Sequence, residues 1–226
     1  MMEKISSLII HQSNQLIALN KPAGMSVQED QTGDASLHRI AMAYCKHDLY
    51  VIHRIDRPTS GIVVFAKNKK AAAHLTDQWK SGKVAKSYLA VVGKTEGASV
   101  GELTHFIREN KQNNKVEISD TAFEDAKEAK LTYEKVEEID RYQLLKIQLK
   151  TGRHHQIRAQ LSAQGMPVKG DVKYGFKRGN KDRSIHLHAW ELRFTHPVSG
   201  KSIELKAKPP KEVIWDAFQT IQSEKN

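Results

Sequence analysis

The sequence predicts an α+β protein, a mostly antiparallel or mixed sheet with helices packed against it. Three observations predict it. Segments of strand character outnumber helical ones, several strands are joined by hairpin-like turns, and the helical segments show one apolar face each.

The elements follow in order. "LIIHQSNQLIALNKPAG" reads as a strand, a polar turn and a second strand, "LIALN", that ends at Pro22 and Gly24. "DASLHRIAMAYCKH" places Leu37, Ile40, Ala41 and Tyr44 at helical spacing. "GIVVFAKN" is an apolar, β-branched run and predicts a buried strand. "KKAAAHLTDQWKSGKV" predicts a helix closed near Gly82. "KSYLAVVGK" alternates, with Ser87, Leu89 and Val91 on one face and Tyr88, Ala90 and Val92 on the other. Residues 108–128 are polar and poorly periodic, which predicts a surface excursion with one short strand at "KVEI". "AKLTYEKVEE" and "RYQLLKIQLK" flank "IDR" as a hairpin. "GRHHQIRAQLSAQG" predicts a helix that buries Ile157 and Leu161. "HLHAWELRFTHPVSGKSIELKA" predicts a hairpin turning at "PVSG", and "KEVIWDAFQTI" a closing helix.

Composition narrows the function classes. The 226 residues suit one large domain or two small ones. The formal net charge of +10 points to an anionic partner, nucleic acid or an anionic membrane surface. A single cysteine, Cys45, excludes an internal disulfide framework and a cysteine-based zinc finger. No apolar run approaches the roughly 20 residues that span a bilayer, so no membrane crossing is expected. The N-terminal stretch lacks a long apolar run, and the expected compartment is the reducing cytoplasm.

Two motifs weaken on inspection. "SGKS" (199–202) resembles the end of a phosphate-binding loop, but Thr195 stands where that loop needs glycine, and the segment joins two strands. His154 with His155, and His186 with His188, invite a metal. No Cys accompanies them and no acidic residue lies close by in sequence, so structural or RNA-contacting roles are preferred and no metal is expected. Lys67, Lys69, Lys70, Lys80, Lys83 and Lys86 crowd the "KKAAAHLTDQWK" helix. Such a run is often only a solvated face, yet lysine and arginine are also what phosphate contacts use.

The stretch that carries chemistry is "HRIDRPTSG" (53–61). It sets Asp56 between Arg54 and Arg57, just before a turn and a buried strand. An ion pair with either arginine is the plainer reading. Against it, the turn can project Asp56 out of the fold from a rigid base. Opposite charge beside a carboxylate favours its ionised form, which suits a nucleophile or a base. "TGRHHQIR" later adds Arg153 and Arg158 to a second polar cluster on a buried element.

"HRIDRPTSG", "KSYLAVV" (86–92) and "TGRHHQIRAQL" (151–161) together resemble the RluA-type pseudouridine synthase family. "NKPAG" (20–24), "GMPVKGD" (165–171) and "HLHAWELRFTHPVSGK" (186–201) match in the same order, so the resemblance spans nearly the whole chain. It implies residues 1–226 as one catalytic domain, a long mixed, mainly antiparallel sheet with flanking helices and two lobes about a central cleft. It implies Asp56 as the catalytic aspartate and Arg54 as the arginine linked to RNA entry and base flipping. It implies Tyr88 as the tyrosine that packs on the target base, Ile157 as the aliphatic residue beneath that base, and Arg158 as the arginine that pairs with the aspartate. Arg153 is assigned to RNA or to support of its helix. Ile55 replaces the family's commoner leucine, a conservative change. Many relatives carry a preceding S4 RNA-binding domain; with "NKPAG" at Asn20, none is expected here.

The implied reaction converts uridine in structured ribosomal or transfer RNA to pseudouridine. Substrate and product have the same atoms, so no cofactor is expected. Glycosidases use two carboxylates; here the departing base is recaptured, and one carboxylate in a dry pocket suffices. A stem-loop RNA is the expected partner, with no obligatory protein partner and a monomeric chain. The first alternative is an inactive RNA-binding protein on the same fold. A metal-dependent nuclease is the second; it would want clustered carboxylates near the basic segments, whereas the densest run of acidic residues, nine of the 26, lies in 117–140.

Overall fold

The computed structural model describes residues 5–110, 112 and 114–223. It is α+β as expected, with eleven strands and five short α-helices among the described residues. The chain clusters into two compact units. The first runs up to Lys86 and adds Ala189–Pro210; the second is Ser87–His188 with the stretch from Lys211.

In the first unit, β1 (Ile9–Gln12) and β2 (Leu16–Lys21) form the hairpin that the polar turn predicts. Helix α1 (Leu37–Cys45) starts at Ser36, whose hydroxyl accepts from Arg39 N at 3.2 Å. A short strand β3 (Tyr50–Val51), too brief to show a period, pairs antiparallel with β4 (Ser60–Ala66). β4 is buried along its whole length and pairs antiparallel with β2. Helix α2 (Lys69–Lys80) is capped by Asn68. β10 (Leu187–Thr195) pairs antiparallel with β11 (Ser202–Lys206), and the strand order is β1-β2-β4-β10-β11. The core joins Leu16, Ala18, Ile62 and Val64 from the sheet to Ala71 and Leu75 of α2. Gln78 sets the rotation of α2: its amide takes Thr195 N and donates to Thr195 O, both at 2.8 Å.

In the second unit the strand order is β5-β9-β8-β6-β7. These are β5 (Ala85–Gly93), β6 (Val100–Asn110), β7 (Lys115–Ser119), β8 (Lys127–Glu138) and β9 (Tyr142–Leu149). The expected surface excursion over 108–128 is corrected here. "KVEI" is a strand, but its flanks are the ends of β6 and β8, which pair in register from Val100↔Glu134 to Ile107↔Lys127. The alternation is hidden there because half-buried positions carry Arg108, Asn110 and Glu117, which hydrogen-bond one another.

Helix α3 is Gln156–Ala163 and does not begin at Gly152 as expected. His155 has φ +50, outside helical space, and Gln156 Oε1 accepts from both Thr151 Oγ1 and Arg153 N. The expected closing helix is two pieces, α4 (Val213–Asp216) and α5 (Gln219–Ser223). Each has its own carboxylate cap. Glu212 accepts from Ile214 N and Trp215 N, and Glu137 accepts from Gln219 N and Thr220 N.

Candidate active site

The first unit holds Asp56 in the irregular segment between β3 and β4. Ile55 is buried and points inward, Asp56 is half-buried, and Arg54 is exposed. The Asp56 carbonyl accepts from Thr59 N at 3.1 Å, which closes the turn at "RPT". The turn feeds Gly61, with φ +114, into β4. A Cβ there would lie 2.2 Å from the carbonyl oxygen of Ala189, so only glycine fits.

Lys21 braces this segment. It is a charged residue at the end of a strand that begins with four apolar residues, and it is fully buried. Its Nζ donates to the carbonyls of Pro22 at 2.9 Å, Met25 at 2.7 Å and Arg57 at 3.2 Å. The carbonyls of "NKPAG" and of the Asp56 segment are thereby gathered on one ammonium. Burial pushes its pKa down to about 7; the charge of Asp56 raises it and that of Arg57 lowers it.

Arg57 provides a second tie. Gly24 N donates to its carbonyl at 2.8 Å, and its own Nε donates to the Gly24 carbonyl at 2.8 Å. Its Nη1 reaches Asp30 at 3.0 Å and Thr32 at 2.7 Å, and its Nη2 pairs with Asp34. The guanidinium of Arg57 therefore serves the acidic loop 29–34. At the other end of the segment, His53 Nε2 accepts from Val64 N at 3.1 Å and its ring stacks on Trp79 at 4.9 Å. Burial, with the charge of Lys86, lowers its pKa to about 3. His53 is a neutral structural residue near pH 7.

The second unit holds Tyr88, Arg153, Ile157 and Arg158. Tyr88 is half-buried on β5 and packs on the apolar cluster that contains Ile157, Leu161, Ala90 and Val92. The structure thus brings Tyr88 and Ile157 into one cluster. Arg158, one residue on, is 4% exposed. Its Nε and Nη2 donate to the two oxygens of Asp171 at 2.6 and 2.9 Å. Its guanidinium carbon lies 4.9 Å from the centre of the Tyr174 ring. Tyr174 is itself fixed, since its hydroxyl meets His155 Nδ1 at 2.9 Å and accepts from Val116 N at 3.2 Å. Arg153 is exposed, with its Nε on the carbonyl of Glu128 at 2.9 Å.

Sequence reading missed Lys21, Asp171, Tyr174 and His155 as parts of the site's frame. Lys21 and Asp171 stand in "NKPAG" and "GMPVKGD", so the signal was a charged residue inside a matching motif. The two histidines of "HLH" also meet protein groups. His186 takes Glu212 at 2.9 Å and Asn180 at 3.1 Å, and His188 meets Trp215 edge to face.

Residues 15–163 match the family described as RNA pseudouridylate synthase. The chain is 33% identical over 207 residues to the ribosomal large subunit pseudouridine synthase C of Rickettsia felis, covering 89% of this chain and 67% of that protein. It is 30% identical over 218 residues to the tRNA pseudouridine synthase C of Haemophilus ducreyi, covering 88% and 89%. Among solved structures, human RNA pseudouridylate synthase domain containing 1 superposes with a TM-score of 0.77 at 27% identity, covering 92% of this chain and 86% of that one. Human RNA pseudouridylate synthase domain containing 4 gives 0.75 at 24% identity, covering 93% and 92%, a likeness of fold.

Proposed function

We propose, from the premise that this chain belongs to the RluA-type family of RNA pseudouridylate synthases, that it acts on a uridine in structured ribosomal or transfer RNA through Asp56. The reaction is the isomerisation of uridine to pseudouridine. The N1–C1′ bond breaks, the base turns, and C5 joins C1′. Relatives named for ribosomal and for transfer RNA support both substrate classes.

The observation that carries the role of Asp56 is its mounting. Its segment is tied at one end by His53 on Trp79 and Val64, and at the other by Lys21 and Arg57. A carboxylate on so fixed a base needs little reorganisation when it acts. Two routes suit a single carboxylate. It can attack C1′, or it can remove the C2′ proton to leave a glycal. Either route ends with loss of the C5 proton, in which Tyr88 or a water takes part.

Arg54, an exposed cation, meets the RNA as the uridine leaves its stack, a step that costs a few kcal/mol. Tyr88 and Ile157 offer an apolar surface for the extruded base. By the family resemblance Arg158 is the arginine that keeps the aspartate ionised, and Arg153 contacts the RNA backbone. The whole chain acts as one catalytic domain, as a monomer, with neither cofactor nor metal.

The test uses RNA tritiated at uridine C5, taken from cells lacking this enzyme. Wild type releases tritium to water and Asp56→Asn does not. Equal release from both would remove Asp56 from the chemistry. Release from neither, on RNA that both bind, would favour an inactive RNA-binding protein.

A further inference from the structure

Between Ser60 and Lys86 the chain has six lysines and a single acidic residue, Asp77. Helix α2 sorts them. Ala71, Leu75 and Gln78 are buried, and the Gln78 amide is pinned to Thr195, so the helix cannot roll. Lys69, Lys70 and Lys80 are exposed on the opposite face, and Lys83 is exposed just beyond the Gly82 turn. Lys69 and Lys80 are eleven residues apart, about three full turns, so they share one line of the helix some 17 Å apart. Among the described residues none of these four lysines has an ion-pair partner.

Their place relative to Asp56 gives the face a direction. Trp79, beside Lys80, stacks on His53, three residues before Asp56. The charge of Lys86 is felt at the same ring. At the far end of the segment, Arg57 holds Asp30 and Asp34. The segment His53–Arg57 is therefore bordered by cations at one end and carboxylates at the other. A polyanion is drawn over the α2 end and repelled from the loop 29–34.

We propose that the exposed lysine face of α2, Lys69, Lys70, Lys80 and Lys83, is a docking surface for the phosphate backbone of the RNA that flanks the target uridine. The proposal rests on RNA being the substrate. Each lysine that neutralises a phosphate releases a counterion, so binding weakens with salt in proportion to the number of such contacts. The lysines add affinity and fix the direction of approach without reading sequence.

The experiment measures the affinity of full-length protein for a transfer RNA transcript and a ribosomal RNA fragment between 50 and 300 mM salt, about the range where such slopes are read. Two double variants are compared with wild type, Lys80→Gln/Lys83→Gln and Lys69→Gln/Lys70→Gln. Lysine and glutamine have similar helix propensities, so α2 persists. Lys127→Gln/Lys208→Gln, the same charge change at exposed positions elsewhere, is the control.

Each α2 pair is expected to lower the salt slope by about 1.5 and to raise KM for tritium release on the order of tenfold near 150 mM salt. The control pair is expected to change neither. Unchanged slopes in both α2 pairs would mean the lysines only face water and would overturn the proposal. An equal drop in the control would reduce the effect to net charge and overturn it too. The same assay separates the two readings. A lowered slope in the α2 pairs alone, with a wild type that releases no tritium, would overturn the activity and leave the docking surface supported.

Discussion

Arg158 and Asp171 form a buried two-point ion pair, with side chains 5% and 2% exposed and both carboxylate oxygens engaged. The pair joins α3 to the turn after "GMPVKG". Removing one member strands a charge out of water, which costs about 3–5 kcal/mol. Replacing both with apolar residues strands neither. Urea unfolding of Asp171→Leu, Arg158→Met and Arg158→Met/Asp171→Leu closes a double-mutant cycle. The double variant is expected to lose less than the sum of the singles, by at least about 1 kcal/mol. An additive cycle would show that the pair does not act as a unit.

Lys21 gives a pH signature. Its folded pKa is near 7, well below its ordinary value, so above pH 7 the unfolded chain holds a proton that the folded chain has released. Stability from this group therefore rises with pH between about 7 and 10, by up to about 1.4 kcal/mol per pH unit. Well below pH 7 both states are protonated and the full burial penalty remains. Lys21→Met cannot titrate and leaves the three carbonyls without their donor. The stability difference between wild type and Lys21→Met should widen in favour of wild type from pH 7 to pH 9.5. A constant difference across that range would mean that Lys21 keeps an ordinary pKa.

The contrast between these two residues shows what the sequence makes legible. "HRIDRPTSG" places Asp56 before a turn and a buried strand, and the structure has that arrangement, because the cue is local. The partner of Arg158 lies 13 residues away, and the partners of Lys21 are backbone carbonyls, which no residue pattern displays. The strands fared alike. The apolar runs of β4 and β5 announce themselves, while His105 and Gln160 fill inward positions of β6 and α3 with side chains that bond each other at 3.0 Å. A polar pair satisfied inside the core reads as surface until its partner is known. Helix α3 starts late for a similar reason, since His155 at φ +50 turns its ring to Tyr174.

His53 stands three residues from Asp56, and a histidine so near a proposed catalytic carboxylate invites an acid–base role. Its Nε2 accepts from the backbone of Val64, which requires that nitrogen unprotonated, and burial with the charge of Lys86 favours the neutral ring. The folded pKa of about 3 is below the ordinary value, so its share of stability is complete above about pH 6.5 and is lost as pH falls toward 3. Nitrogen NMR of histidine-labelled protein should show His53 neutral, with the proton on Nδ1, from pH 5 to 8. Titration of His53 near 6.5 would contradict this. An acidic limb in the rate profile above pH 5 must then come from another group.

Gly61 is the tightest point of the segment that ends in β4. Two independent demands fall on it, a backbone φ of +114 and a Cβ site 2.2 to 2.7 Å from the backbone of Ala189. Backbone cannot swing aside as a side chain can. Gly61→Ala must therefore separate β4 from β10 or change the entry of the chain from the "RPTS" turn. The first opens the core around Ile62 and Val64; the second moves Asp56. The expected loss is about 4 kcal/mol or more, at the extreme of single substitutions. Gly93→Ala, where a Cβ meets nothing within 4 Å, is the matched control. Thermal unfolding of the two variants beside wild type checks it: a Gly61→Ala protein as stable as Gly93→Ala would mean that β4 and β10 are not pressed together at this point.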